Sequence, residues 1–462
     1  MKKRDYTQLM AELAQAYAKH SPKSAKLHER ALKYLVDGGS HSLRLLQPFA
    51  PRIVGAQGAW LDDEDGHQIL DFWQGHYGNI LGHNPKAVTS VLAEVLKNGY
   101  GLQTGFTDRL QIEAAQIICE QTGAEHVRFT TSGALATMYA IMLARAFTGR
   151  DLVLKVGGGW HGAHPWGLKG VGFHDGFEGV DSAGIPSAIT DEIIVTGFNN
   201  PDMLCDHFRE YGNKLACFIL EPVIGAAGLM PATRDYMQTA QELTQKYGVL
   251  LILDEVVSAF RYRAGDAGAL YGVHPDLLCL GKAIGGGMGV SAVAGRFDIL
   301  SLVGAGGGNE VKFSGGTHSG HPASMLAAKT CMAHMVKNEA EIYPKLAEIG
   351  KKTRRTVTHT FTEEGIFIRF AGDRNEMLPG NSLHMLLFPY EQDRQLITPE
   401  EVRNPAVCDI TLGEKVMQLA LLLENVYTVH GLGCNTTAHT ETEIQFLAKA
   451  CRRAISRIKN YL

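Results

Sequence analysis

The sequence predicts an α/β fold, with a large domain built on a mainly parallel sheet flanked by helices and a smaller α+β C-terminal domain. Three observations predict it. From about Gly82 onward, long stretches with a 3.6-residue apolar period take turns with short apolar runs, as strands linked through helices do. The short runs are apolar at successive positions rather than alternate ones, which suits strands covered on both faces. After Pro322 the alternation gives way to long helices and a few short strands.

Taken in order, Tyr6, Leu9, Met10, Leu13, Ala14 and Tyr17 recur at helical spacing. The basic opening Met1-Lys2-Lys3-Arg4 leads into no apolar run, so this is an amphipathic helix and not a signal peptide. Beyond Gly38-Gly39-Ser40, residues 60–72 predict a hairpin that turns at Asp65-Gly66. Helices are expected over 85–98, 108–122 and 134–148, and strands over 127–130, 152–156, 193–195, 217–220 and 249–253. The tail predicts helices over 323–337, 342–361 and 410–423 and from Glu441, with strands over 367–371 and 383–388. The charged, proline-rich 389–405 reads as a loop or mobile lid. The expected division is an N-terminal segment 1–75 packed with the small domain, a large domain 76–322 and a small domain 323–462.

At 462 residues, 45% hydrophobic and 20% charged, the chain suits a large-cored globular protein. A net charge of −4 without a long basic block gives no case for nucleic acid. No apolar run is long enough to cross a bilayer. Eight scattered cysteines without a Cys-x-x-Cys point to reduced thiols and a cytoplasmic location. His161/His164 and His318/His321 are spaced like metal ligands, but they lie in Gly-rich loops without an adjacent carboxylate or thiol, so no metal is expected.

Candidate chemistry begins with Lys282, set between Leu278-Cys279-Leu280-Gly281 and Gly285-Gly286-Gly287. Burial there lowers a lysine's pKa and makes it a Schiff-base nucleophile. Asp254 ends the apolar run 249–253, where a carboxylate suits a protonated pyridine nitrogen. A surface lysine and a helix-capping aspartate are the plain readings of either residue alone. Thr130-Thr131-Ser132-Gly133-Ala134 joins a strand to a helix and serves equally as an N-cap or a phosphate cup. Gly157-Gly158-Gly159-Trp160-His161-Gly162 offers an aromatic for stacking on a planar cofactor, or a core tryptophan beside a turn. Phe313 to Gly320 is a hydroxyl-and-glycine loop suited to a phosphate or to linking two domains. Ligands of such sheets bind beyond the carboxyl ends of the strands, where Ser132, Trp160, Glu221 and Asp254 fall.

Asp254-Glu255-Val256-Val257-Ser258-Ala259-Phe260-Arg261, then Tyr271 to Leu277, then Leu280 to Met288 resemble the class III (ω-type) pyridoxal phosphate aminotransferases of fold type I, in the branch of glutamate-1-semialdehyde aminomutase. The resemblance runs from about Gly38 to Gly320 and continues more weakly at His430-Gly431 and Ala438-His439-Thr440. It implies pyridoxal 5'-phosphate as cofactor, with Lys282 as its Schiff-base lysine and Asp254 on the pyridine nitrogen. It also implies Val256 and Trp160 on the two ring faces, and Ser132, Gly133 and Ala134 at the phosphate. Gly316 and Thr317 would reach the phosphate bound by the other subunit of a homodimer. Arg44 and Tyr77 become candidates for substrate contact. Two departures stand out. The family's Ser-Gly-Thr-Glu-Ala reads Ser132-Gly133-Ala134-Leu135-Ala136, and residues 73–79 differ from the aminomutase pattern. The expected activity is ping-pong amino transfer between an amino acid or amine and a keto acid or aldehyde. The alternatives are an isomerase (a 2,1-aminomutase, or an amino-acid racemase or epimerase) and a catalytically silent scaffold.

Overall fold

The computed structural model describes residues 4–174, 176–304, 309–372, 378 and 381–462, so the basic Met1-Lys2-Lys3 lies outside the described residues. The helix Thr7–His20 buries Leu9, Leu13 and Tyr17 at the spacing the sequence shows. Strands β1 (Ile53–Gln57), β2 (Trp60–Asp63) and β3 (Gln68–Asp71) form an antiparallel meander, with the hairpin turn at Asp65-Gly66 as expected.

Among the described residues, the large sheet comprises β4 (His126–Thr130), β5 (Leu152–Val156), β6 (Ile193–Thr196), β7 (Leu215–Leu220), β10 (Leu250–Asp254), β11 (Leu277–Leu280) and β12 (Ser291–Gly295). A two-strand hairpin, β8 (Val223–Ile224) with β9 (Met230–Pro231), lies outside it. The sheet order is β4-β12-β11-β10-β7-β5-β6, and only β12 runs against its neighbours. Every residue of β7, β10, β11 and β12 is buried, whereas the edge strand β4 alternates. The helix Gly133–Thr148 covers one face with Ala136, Ala140, Ile141, Leu143 and Ala144; Ser132 caps its start and left-handed Gly149 its end.

Beyond Pro322, the helix Pro322–Lys337 packs across Lys86–Lys97 and Arg109–Thr122, while Glu339–Glu363 packs on Glu441–Ile458. The N-terminal meander joins this end of the molecule, because β3 pairs in parallel with Val426–Tyr427 and Trp60 Nε1 donates to Glu443 (3.1 Å). The expected loop 389–405 is not a free lid. Leu396, Pro399 and Val402 are buried, and a Thr398–Glu401 capping box closes the short helix Pro399–Val402.

Register positions the site. Leu253 pairs with Leu220, Asp254 with Cys279 and Lys155 with Ile219, so Asp254, Glu221, Gly157 and Lys282 all fall at or just beyond the carboxyl ends of these parallel strands.

Candidate active site

Asp254 is buried at the end of β10, with each carboxylate oxygen engaged. Oδ1 accepts the Val256 N–H (3.1 Å), and Oδ2 lies 2.8 Å from Nδ1 of buried His161. Burial pushes the His161 imidazole pKa down against the opposing pull of Asp254, and its Nε2 has no partner among the described residues.

Lys282 follows β11 in a left-handed conformation (φ 46°). Burial lowers its amine pKa, Asp254 and Glu221 oppose that shift, and the Arg261 guanidinium adds to it. The backbone crowds the lysine. A Cβ on Gly78 would fall 3.4 Å from Lys282 Cβ, and one on Gly281 would fall 3.1 Å from Val256 Cγ1. Val256 is wedged in turn against Gly133, where a Cβ would fall 2.9 and 3.0 Å from its two methyls.

Ser132 Oγ accepts the Leu135 N–H (3.3 Å), a cap that leaves the first-turn N–H groups of Gly133 and Ala134 without helical acceptors. The Trp160 loop lies directly over this helix start, since a Cβ on Gly162 would fall 2.5 Å from Ala134 Cα and Cβ. Trp160 keeps its side chain partly exposed and donates its N–H to Glu221 Oε1 (2.9 Å). Burial and the charge of Asp254 push Glu221 up to about 8.

Ser132, Gly133, Ala134, Trp160, Asp254, Val256 and Lys282 therefore share one end of the sheet. Gly316 and Thr317 do not join them at Lys282. They sit on an exposed loop where a Cβ on Gly316 would fall 3.4 Å from Thr131 Oγ1. Arg44 is exposed in a 3₁₀ turn, and its charge acts on His41, His76 and Tyr427. Tyr77 corrects the expectation of substrate contact. Its side chain is core, its hydroxyl is sealed without a partner among the described residues, and its carbonyl accepts from Arg261.

The preceding residue, His76, has its Nε2 buried without a partner among the described residues. Gln74, Gly75, His76 and Tyr77 form a left-handed turn (φ 47°, 62°, 58° and 66°) held by the Asp71 carboxylate on the Trp73 and Gln74 N–H groups. Burial first, then the charges of His41, Lys282, Arg44 and His430, push His76 down to about 3. His161 and His164 belong to one hydrogen-bonded group, in which His161 Nδ1 lies 2.8 Å from Asp254 Oδ2 while His164 Nε2 lies 3.1 Å from the His161 carbonyl and 3.2 Å from Thr137 Oγ1. Sequence reasoning missed the His161–Asp254 pair, His76 and Lys155. Only Lys155 leaves a sequence signal, as a lysine interrupting the apolar strand β5.

A family model described as aminotransferase class-III matches residues 46–360. The chain is 34% identical over 349 residues to a glutamate-1-semialdehyde 2,1-aminomutase of Aquifex aeolicus, covering 74% of this chain and 81% of that protein. Its fold superposes on an omega-transaminase from Sphaerobacter thermophilus with a TM-score of 0.83 at 28% identity, covering 94% of this chain and 98% of the other. A transaminase solved with PLP bound matches with a TM-score of 0.81 at 25% identity, covering 95% and 98%.

Proposed function

From the premise that the chain belongs to the class-III aminotransferases, we propose that it moves an amino group from an amino acid or amine to a keto acid or aldehyde in two half-reactions. The observation that carries this reading is the convergence of Lys282, Asp254 and Glu221 beyond the large sheet, with the lysine's amine pKa lowered by burial. The residues fit pyridoxal 5'-phosphate. A buried carboxylate meets a pyridinium, free N–H groups at a capped helix start meet a phosphate, and a Val256 methyl and the Trp160 indole supply apolar faces. When bound, that cofactor supplies an electron sink for negative charge developing on the substrate carbon.

The chain's own residues do the rest. Asp254, steadied by His161, holds the proton on the ring nitrogen. Lys282 Nζ, its pKa lowered by burial, takes a proton from the substrate carbon and returns one. Arg44 receives a substrate carboxylate, with His76 beside it. The active unit is a homodimer in which Gly316 and Thr317 complete the phosphate site of the opposite subunit. Exposed Leu102, Phe106 and Ile112 support this assembly, since Gln111 ties Phe106 to Gly320 at the end of the same loop (3.3 and 3.2 Å). Eight free thiols support a cytoplasmic location.

Identity to an aminomutase supports a second reading, an isomerase on the same scaffold. The deciding assay supplies an amine with and without a carbonyl acceptor. Amino transfer consumes acceptor mole for mole, whereas turnover without acceptor selects the isomerase.

A further inference from the structure

Lys155 lies in β5 with no solvent exposure. Its Nζ donates to the carbonyls of Gly159 (3.1 Å), Gly167 (3.4 Å) and Lys169 (2.6 Å), which uses all three ammonium hydrogens. Burial lowers its pKa to about 8, with Glu221 and Asp181 opposing the shift. A buried ammonium is strongly disfavoured unless it is bonded this fully, so the residue is expensive to keep among the apolar side chains of an interior strand.

The position of the Gly159 bond shows what that ammonium does. The Gly159 carbonyl belongs to the same peptide unit as the Trp160 N–H, and that N–H donates to Glu221 Oε1 (2.9 Å). Glu221 is fixed in turn by the Gly225 N–H on Oε2 (2.9 Å). A peptide unit is planar, so a cation on its oxygen and a carboxyl oxygen on its hydrogen together stop it rotating. The N–H groups of Gly157, Gly158 and Gly159 are held by the Thr196, Gly170 and Val156 carbonyls, and the Lys155 and Glu221 bonds hold the next peptide unit itself. Gly157, Gly158 and Gly159 have the widest backbone freedom of any residues. Side chains that would stiffen the first two are excluded, because a Cβ there would fall 2.8 Å from Phe177 Cβ and 2.5 Å from Ala227 Cβ.

We propose that Lys155 is a positioning residue. With Glu221 it clamps the Gly159–Trp160 peptide plane, and so sets the face that the Trp160 indole presents to the cofactor. The proposal rests on the reading of Trp160 as a ring contact of pyridoxal phosphate. The test is the non-additivity of two lesions, read on cofactor binding rather than on turnover. Lys155→Met is made in the native background and in Trp160→Ala, and pyridoxal phosphate affinity is titrated alongside the visible circular dichroism of the bound cofactor.

The expected result is an affinity loss of up to about tenfold with weakened dichroism in the native background, the scale of one aromatic contact, and less than about twofold further loss once the indole is gone. Equal losses in both backgrounds, or none in the native one, overturn the proposal. If Lys155→Met does not fold, Glu221→Gln is put through the same two backgrounds under the same criteria. Native protein that binds no pyridoxal phosphate sinks the proposed function itself. Unchanged affinity in Trp160→Ala alone removes the indole's role, and the clamp's purpose with it.

Discussion

Asp254 and Lys282 are separated by 28 positions in sequence and brought together by one parallel strand pair. Replacing Asp254 with Asn keeps the shape and its acceptor for the Val256 N–H but removes the charge. We expect kcat to fall roughly 10²-fold or more, the scale of losing a buried charge that acts on the reacting system. A near-native kcat would leave Asp254 a structural role only. Lys282→Ala should abolish turnover and leave the fold intact. Borohydride reduction of the native protein followed by peptide mapping should fix the cofactor on Lys282, and label on another lysine would overturn the assignment. Both residues are legible in the sequence because each follows an unbroken apolar run. His161 is not, because its partner lies 93 residues away and its own neighbourhood is glycine. Tyr77 is legible only as part of residues 73–79, and neither its burial nor the charge of Lys282 acting on His76 follows from that pattern.

At the level of elements, that turn carries a measurable strain. Gly75 has φ 62° and space around it, its nearest neighbour to a new Cβ being Asn79 at 3.5 Å. Gly75→Ala should therefore cost only the left-handed penalty, about 1 kcal/mol, read as a lower denaturant midpoint. A second test lies where the helical segment after Thr411 presents Glu414 to Arg403 and to His430 Nδ1 (3.3 Å). Burial alone would raise this carboxyl, but His430 and Arg403 overcome it and bring Glu414 down to about 2. A depressed carboxylate stabilises the fold above its unfolded value near 4.5 and loses that contribution as pH falls through 2. About 3 kcal/mol should disappear over that window, and Glu414→Gln should lack this part of the acid loss. A parallel acid loss in both proteins would remove Glu414 from the account. The central strands are legible in the sequence because they are apolar throughout. Strand β12 is not, since Ser291-Ala292-Val293-Ala294-Gly295 carries one β-branched residue in five, and only burial between β4 and β11 makes it a strand.

For the molecule as a whole, the homodimer reading makes a complementation prediction. Neither Lys282→Ala nor Thr317→Ala should be fully active alone at limiting cofactor. A mixed dimer gathers both lesions in one site and leaves the other site native, so activity should recover to as much as half the native value. Mixed dimers confirmed by mass spectrometry that show no recovery would mean Thr317 serves its own subunit. The division into domains is only half legible in the sequence. The change of pattern after Pro322 is local and visible, but the attachment of residues near the start to those near the end rests on pairings that no local pattern encodes.

Those pairings have a consequence for how the protein is made. Asp71 finds its strand partner Tyr427 only 356 residues later, and Tyr6 meets Asp409 across 403. At ribosomal speeds of 5–20 residues per second, the first meander waits on the order of 20 to 70 s with its edge unpaired. During that interval β3 presents open backbone groups and the apolar side chains of Ile69 and Leu70 to solvent or to a neighbouring nascent chain. The strands of the large sheet all lie between His126 and Gly295, so they can pair before Tyr427 is made, whereas the first meander cannot be completed until then. Yield in the cell should accordingly depend on a holdase near the ribosome exit, and slowing translation should lengthen the exposure rather than help the chain fold.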